Sequence, residues 1–280
     1  MSFFTAILLG IVQGIAEFLP ISSSGHLSIL QNLLKLSYSE EGHLFFDVLL
    51  HLGTLIAIFV YYRKDIKKII EECVSFARGE TNELVTGGRV TGGVRMVFLI
   101  IIATLPLLVV VPFNGKIEQL YYKTGFIGFA LIMTGTLLFV GDRFIAAGKK
   151  NEKTMTVADA LIIGIAQAIA LIPGISRSGS TITVGMARGL NKDFAVRFSL
   201  LMSIPAIIGS TILSIFKALR AGIAWGLVPK YLLGALIAAV VGYFCIKLIH
   251  KLMRTGKFGK FSYYCWAVGF ITIILSLILN

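Results

Sequence analysis

The sequence predicts an all-α polytopic membrane protein, with six transmembrane helices plus two re-entrant helical hairpins in two inverted-topology repeats. Three observations predict it. Of the 280 residues, 56% are apolar and only 14% are charged, more apolar surface than a soluble domain of this length can hide. Six apolar runs are long enough to cross a hydrocarbon core of roughly 30 Å. Two shorter apolar runs break at Ser/Gly-rich turns that match each other at a constant offset of 154 residues, position 10 aligning with position 164.

Taken in order, the chain opens with an apolar run from Phe3 to Phe18, roughly 24 Å long as a helix and too short to span. It breaks at Pro20-Ile21-Ser22-Ser23-Ser24-Gly25 and resumes at His26. The run from Val157 to Ile172 does the same at Pro173-Gly174-Ile175-Ser176-Arg177-Ser178-Gly179. Irregular backbone is not tolerated against lipid, so both breaks must be wrapped by protein or line a cavity. They read as re-entrant hairpins over 3–35 and 157–190. The full spans are Leu44 to Tyr62, Met96 to Phe113, Gly125 to Gly141, Ser199 to Phe216, Tyr231 to Ile249 and Tyr263 to Leu279. Three spans follow each hairpin, and because three is odd the second half, 155–280, is inverted relative to the first, 1–145, within one membrane domain.

The identities behind the repeat are Gly10-Ile11 and Gln13 with Gly164-Ile165 and Gln167, Ile15-Ala16 with Ile169-Ala170, Ile21-Ser22 with Ile175-Ser176, and Ser24-Gly25 with Ser178-Gly179. The net charge of +12 sits in short loops. That argues for topology and anionic lipid headgroups, and no basic stripe interleaved with aromatics supports nucleic acid. The loops from Arg63 to Arg95, Arg143 to Lys153, Arg188 to Arg197 and Lys247 to Lys260 are densely basic. The opposite side carries only Lys35, Lys116, Lys123, Lys217, Arg220 and Lys230. The basic side is therefore cytoplasmic, and both termini face outward. Cys73, Cys245 and Cys265 form no CxxC pair and imply no disulfide framework. No basic leader or cleavage site precedes the first helix.

Ionisable residues inside the membrane are functional candidates by default. Glu17 and His26 flank the first break, and Arg177 lies in the second. If the tips meet, these three converge with Ser22, Ser23, Ser24, Gly25, Ser176, Ser178, Ser180 and Thr181. An arginine fork, hydroxyls and helix N-termini suit a phosphate group. A structural ion-pair network is the bland alternative. Gln13 lies one turn before Glu17, where it either assists a metal or water or packs between helices. Asp47 and His51 share a face of a span and read more readily as a headgroup-depth pair than as a site.

The stretches Gln13-Gly-Ile-Ala-Glu17, Phe18-Leu19-Pro20-Ile21-Ser22-Ser23-Ser24-Gly25-His26 and Pro173-Gly174-Ile175-Ser176-Arg177-Ser178-Gly179-Ser180-Thr181 resemble the undecaprenyl-diphosphate phosphatase (bacitracin-resistance, BacA/UppP) family. The resemblance covers nearly the whole chain, with Gln13 standing where some members have Glu. It implies hydrolysis of undecaprenyl diphosphate to the monophosphate at the outer face of the bacterial plasma membrane, recycling the carrier for peptidoglycan. It also implies a divalent cation, Mg2+ or Ca2+, for which Glu17, with Gln13 beside it, is the candidate holder.

On that reading Arg177 binds the diphosphate with Ser176, Ser178, Thr181, Ser22, Ser24 and Gly25 around it. Glu17 holds the cation or orients the attacking group, His26 is nucleophile or general acid/base, and Ser23 is the alternative nucleophile. The expected partners are the bilayer and a polyprenyl diphosphate, with a homodimer left open. Inverted repeats also fit a polyprenyl-phosphate transporter or flippase, but a nucleophile beside an arginine favours hydrolysis. A type 2 phosphatidic acid phosphatase is excluded, because no Arg-Pro occurs and the sixth residue after Arg177 is Thr183.

Overall fold

A computed structural model describes residues 1–34, 40–79, 92–144, 148–221 and 225–279, and the side chains of these save 40–44, 217–221 and 279. Lys35, Arg89, the side chains of Lys217 and Arg220, and the expected repeat boundary at 145 lie outside the described residues. Among the described residues the chain is helical, with a single isolated bridge between Lys150 and Leu190.

Twelve α-helices follow in order: α1 Phe3–Phe18, α2 Ser23–Leu33, α3 Glu40–Tyr61, α4 Arg63–Ala77, α5 Gly92–Val110, α6 Asn114–Leu120, α7 Thr124–Phe144, α8 Val157–Ile169, α9 Arg177–Ala187, α10 Lys192–Ala221, α11 Val228–Arg254 and α12 Phe261–Leu279. Among the described residues, five stretches are long and apolar enough to cross a membrane: Gly92–Leu120, Thr124–Phe144, Lys192–Phe216, Trp225–Arg254 and Phe258–Ile278. A sixth counts only if Phe45–Tyr61 and Arg63–Ala77 are taken together, and these bend by 77° at Tyr62. The first expected span is thus the straight part of a bent pair. Its continuation, α4, went unread in the sequence because its composition is that of a basic loop. α4 buries no residue and runs Lys67–Glu71 and Lys68–Glu72 pairs along its surface, the pattern of a solvated amphipathic helix.

The two short apolar helices start and stop by local chemistry. Ser2 caps α1, accepting from Thr5 N–H at 3.0 Å. Pro20 biases Leu19 out of the helical region, and Leu19 is extended. Thr156 and Asp159 form a capping box at the start of α8. Buried Asp159 also pairs with Lys150 and Arg188, anchoring the hairpin to the segment before it. Ser22 and Ser176, 154 positions apart, cap α2 and α9 alike: each hydroxyl accepts the N–H three residues on, from Gly25 at 3.3 Å and Gly179 at 3.1 Å. Each also contacts the serine two residues on at 3.3 Å.

The hairpins are embraced by spans. α1 packs on α11 and α8 on α5, while α7 packs on α12 and α3 lies against both α10 and α11. Small residues permit this closeness. A Cβ on Gly10 would stand 2.5 Å from the Gly234 carbonyl oxygen, and one on Gly164, its counterpart by sequence, 2.3 Å from that of Ala103. The core behind the hairpins is built from Phe18, Ile58, Leu138, Phe198 and Phe258. The outward faces carry exposed apolar side chains such as Leu108, Leu236, Phe244, Phe270 and Leu277. Such a belt matches hydrocarbon rather than water.

Candidate active site

The tips of the two hairpins touch. The Ser178 hydroxyl donates to the Leu19 carbonyl at 3.3 Å, a Cβ on Gly25 would lie 3.1 Å from Gly174 Cα, and one on Gly179 3.2 Å from Pro20 Cβ. Beneath this contact the Arg177 guanidinium forms an ion pair with Glu17 Oε1. The other carboxylate oxygen, Oε2, accepts from the Ser23 hydroxyl at 2.6 Å and from Gln13 Nε2 at 3.1 Å. One carboxylate from the first hairpin therefore holds the arginine of the second and the serine of its own.

Gln13 and Glu17 share a helix face because they are four residues apart, and both are buried. Ser22 sits at φ +69°, the one described non-glycine residue in the left-handed region. Such a conformation costs about 1–3 kcal/mol and persists where surroundings fix it. Here it turns the chain so that Ser23 faces Glu17. The Thr134 hydroxyl on α7 donates to the Gly174 carbonyl at 2.8 Å and accepts from Ser176 N–H at 3.1 Å, so a single side chain clips both ends of the second turn and aims Arg177.

His26 is held from both sides. Its Nδ1 lies 2.8 Å from the Ser22 carbonyl and its Nε2 2.9 Å from the Tyr264 hydroxyl on α12. Ser23, Ser24, His26 and Arg177 are only partly buried, whereas Gln13, Glu17, Ser22, Gly25, Ser176, Ser178 and Thr181 are buried. The hydroxyls of the buried set are engaged in holding the fold. Ser22 and Ser176 cap helices, Ser178 bonds Leu19, and Thr181 donates to the Arg177 carbonyl at 2.8 Å and pairs with the Ser199 hydroxyl. What these turns offer an anion is the positive N-terminal ends of α2 and α9.

Sequence reasoning undervalued His51. Its Nδ1 donates to the Asp47 carbonyl at 2.7 Å, which leaves Nε2 3.6 Å from Glu17 Oε2. His51 therefore belongs to the cluster, while Asp47 accepts from Gln31 at 2.7 Å. Thr134 and Tyr264 were also missed. Each is a polar residue in or beside an apolar run, with no local motif to mark it. A cavity of about 720 Å³ lies elsewhere, among Tyr61, Asp193, Arg197 and His250, and contains no expected site residue.

Fold and cluster together define an integral membrane protein with a buried acid–serine–arginine centre between two broken helices. The chain belongs to the bacitracin resistance protein BacA family, whose profile matches residues 6–271. It is 41% identical to an undecaprenyl-diphosphatase of Alkaliphilus metalliredigens, an alignment covering 99% of this chain and 100% of that one. It is 40% identical to an undecaprenyl-diphosphatase of Methanosphaera stadtmanae, covering 98% of each. With that of Carboxydothermus hydrogenoformans the identity is 37%, over 99% of this chain and 98% of the other.

The Thr134 clip is testable. Thr134→Val keeps the shape and leaves a buried carbonyl and N–H unpaired, which costs about 1–3 kcal/mol. Thermal unfolding in detergent should occur several degrees lower than in wild type, and Thr134→Ser should restore most of the loss. An unchanged melting temperature in the valine variant would show that the clip contributes nothing.

Proposed function

We propose that this protein hydrolyses undecaprenyl diphosphate to undecaprenyl phosphate and inorganic phosphate, returning the lipid carrier to peptidoglycan synthesis, with bacitracin resistance as the consequence. The observation that carries the reading is the shared carboxylate of Glu17, with Arg177 on one oxygen and the Ser23 hydroxyl on the other. An activated hydroxyl beside a guanidinium is what phosphoryl transfer asks of a protein: a positioned nucleophile and a fork for the phosphate oxygens.

In this reading Glu17 takes the proton of Ser23 as its oxygen attacks the terminal phosphorus. The bond to undecaprenyl phosphate breaks, and the leaving group departs with the bonding pair. Water then attacks the phosphoserine and gives its proton to His26 Nε2, while Glu17 returns a proton to Ser23 Oγ as phosphate leaves. Between His26 and Ser23 as nucleophile, the Ser23–Glu17 hydrogen bond favours Ser23, because His26 Nε2 is turned to Tyr264. Arg177 clamps the phosphate throughout, and the N-terminal ends of α2 and α9 add positive potential. Ser176, Ser178, Thr181, Ser22, Ser24 and Gly25 shape the cradle.

The residues also fit a divalent cation shared with the substrate. Gln13 Oε1 is buried without a hydrogen-bond partner beside the Glu17 carboxylate, and these are the oxygen donors that Mg2+ or Ca2+ takes. No group of three or more His, Cys, Asp or Glu suited to a metal occurs among the described residues, so phosphate oxygens would complete the shell. When bound, such a cation supplies charge neutralisation on the phosphates.

The same reading extends to architecture. Two inverted repeats with re-entrant hairpins are supported by the matched serine caps at 22 and 176 and the matched close approaches at Gly10 and Gly164. An outward-opening site in a bacterial plasma membrane, with both termini outside, is supported by α2. It runs from the tip to Asn32, which bonds Thr124 beside the sparsely charged loop of Lys116 and Lys123.

Phosphate release from undecaprenyl diphosphate by the purified protein in detergent tests the reaction. Ser23→Ala and Glu17→Gln should each lose about 10³-fold in kcat, and Arg177→Lys, which keeps the charge and loses the fork, about 10²-fold. A chelator should lower the rate. No release by wild type would leave a lipid carrier as the function, and a near-normal Ser23→Ala would move the nucleophile to His26. In intact cells carrying a variant without Cys73, Cys245 and Cys265, an impermeant thiol reagent should label a cysteine placed at Lys116 and not one at Lys149, and the reverse pattern would turn the site inward.

A further inference from the structure

Resting on the proton-carrying role of His26, the geometry points to Tyr264 as a positioning residue for the reaction, one that holds the His26 imidazole neutral and aimed until the attacking water takes its place. Tyr264 stands 238 positions from His26, on a different helix in the other half of the chain, and no motif marks it. Its ring stacks on the imidazole with centroids 5.6 Å apart and planes 10° from parallel, and its hydroxyl lies 2.9 Å from Nε2.

The opposite nitrogen decides what that contact means. Nδ1 faces the Ser22 carbonyl at 2.8 Å, and a carbonyl only accepts, so Nδ1 carries the hydrogen. In the neutral ring Nε2 is then the lone-pair nitrogen, and the tyrosine hydroxyl is its donor. That is the form required of a base for water. A donated hydrogen bond to Nε2 favours the neutral ring over the cation.

Surroundings fit a movable latch rather than a filler. Tyr264 lines a cavity of about 420 Å³ with Ile15, Leu19, Ile21 and Phe261, and Lys257 and Lys260 lie at its edge. The cavity leaves the ring room to swing from His26 without disturbing the core. On the site side the charged or titratable groups are Glu17, His51 and Arg177, and none of them bonds the imidazole among the contacts described. Tyr264 is therefore the hydrogen-bond partner that fixes where Nε2 points.

The test uses the full-length protein in detergent with undecaprenyl diphosphate, measuring kcat and KM across pH. Tyr264→Phe keeps the stacked ring and removes only the hydroxyl. We expect kcat to fall about tenfold, the effect of one hydrogen bond, with kcat/KM unchanged, because His26 acts after the phosphoserine has formed. The acidic limb of the pH–kcat profile should move to higher pH, because the neutral imidazole has lost its donor. His26→Ala serves as the control: if it retains activity, or if wild type releases no phosphate, the functional reading fails rather than this inference. In an enzyme that His26→Ala inactivates, a Tyr264→Phe variant with wild-type kcat overturns the inference. So does a variant whose kcat falls with melting temperature while the acidic limb stays in place.

Discussion

The rest of the structure depends on the ion pair between Glu17 and Arg177. A lone carboxylate or guanidinium at this depth would be costly, and each is tolerated only because the other meets it. Removing either partner of a buried pair costs about 3–5 kcal/mol, since the survivor is left uncompensated. The pair can form only if two short helices, 160 residues apart at the paired positions, stop short and bring their tips together. Pro20 ends the first, the Ser22 and Ser176 caps restart the chain, and glycines at 10 and 164 let both helices sink between the spans.

The same pair ties architecture to chemistry. Glu17 divides its two oxygens, with Arg177 on one and Ser23 on the other. On the proposed reading, a phosphate group entering beside Ser23 would compete with Glu17 for the guanidinium and free the carboxylate to receive a proton. Charge would then stay compensated with and without substrate, as low-dielectric surroundings demand. The membership in the BacA family and the local geometry thus lead to one reading by separate routes.

Much of this was legible in the sequence, and the parts that were not share a physical reason. Hydropathy located the spans because a bilayer imposes a length and forbids exposed backbone. The hairpins and Glu17, Ser23, His26 and Arg177 stood out because charges and Ser/Gly turns are rare in apolar runs. The roles of Ser178 and Thr181 were not legible, since a hydroxyl can face a ligand or a neighbouring carbonyl, and these face Leu19 and Arg177. Thr134, His51 and Tyr264 act through contacts on other helices, which no periodicity records. The bend at Tyr62 was invisible because α4 has the composition of a loop while its charges pair four residues apart.

The central claim is that one phosphate site lies where the hairpin tips meet. The most direct measurement is an experimental structure of the protein in lipid with a non-hydrolysable prenyl methylenediphosphonate. The account predicts the terminal phosphonate between the Arg177 guanidinium and the Ser23 hydroxyl, with the Glu17–Arg177 pair opened by the ligand. A phosphonate seated instead in the larger cavity beside Arg197 and His250, with that pair intact, would contradict it.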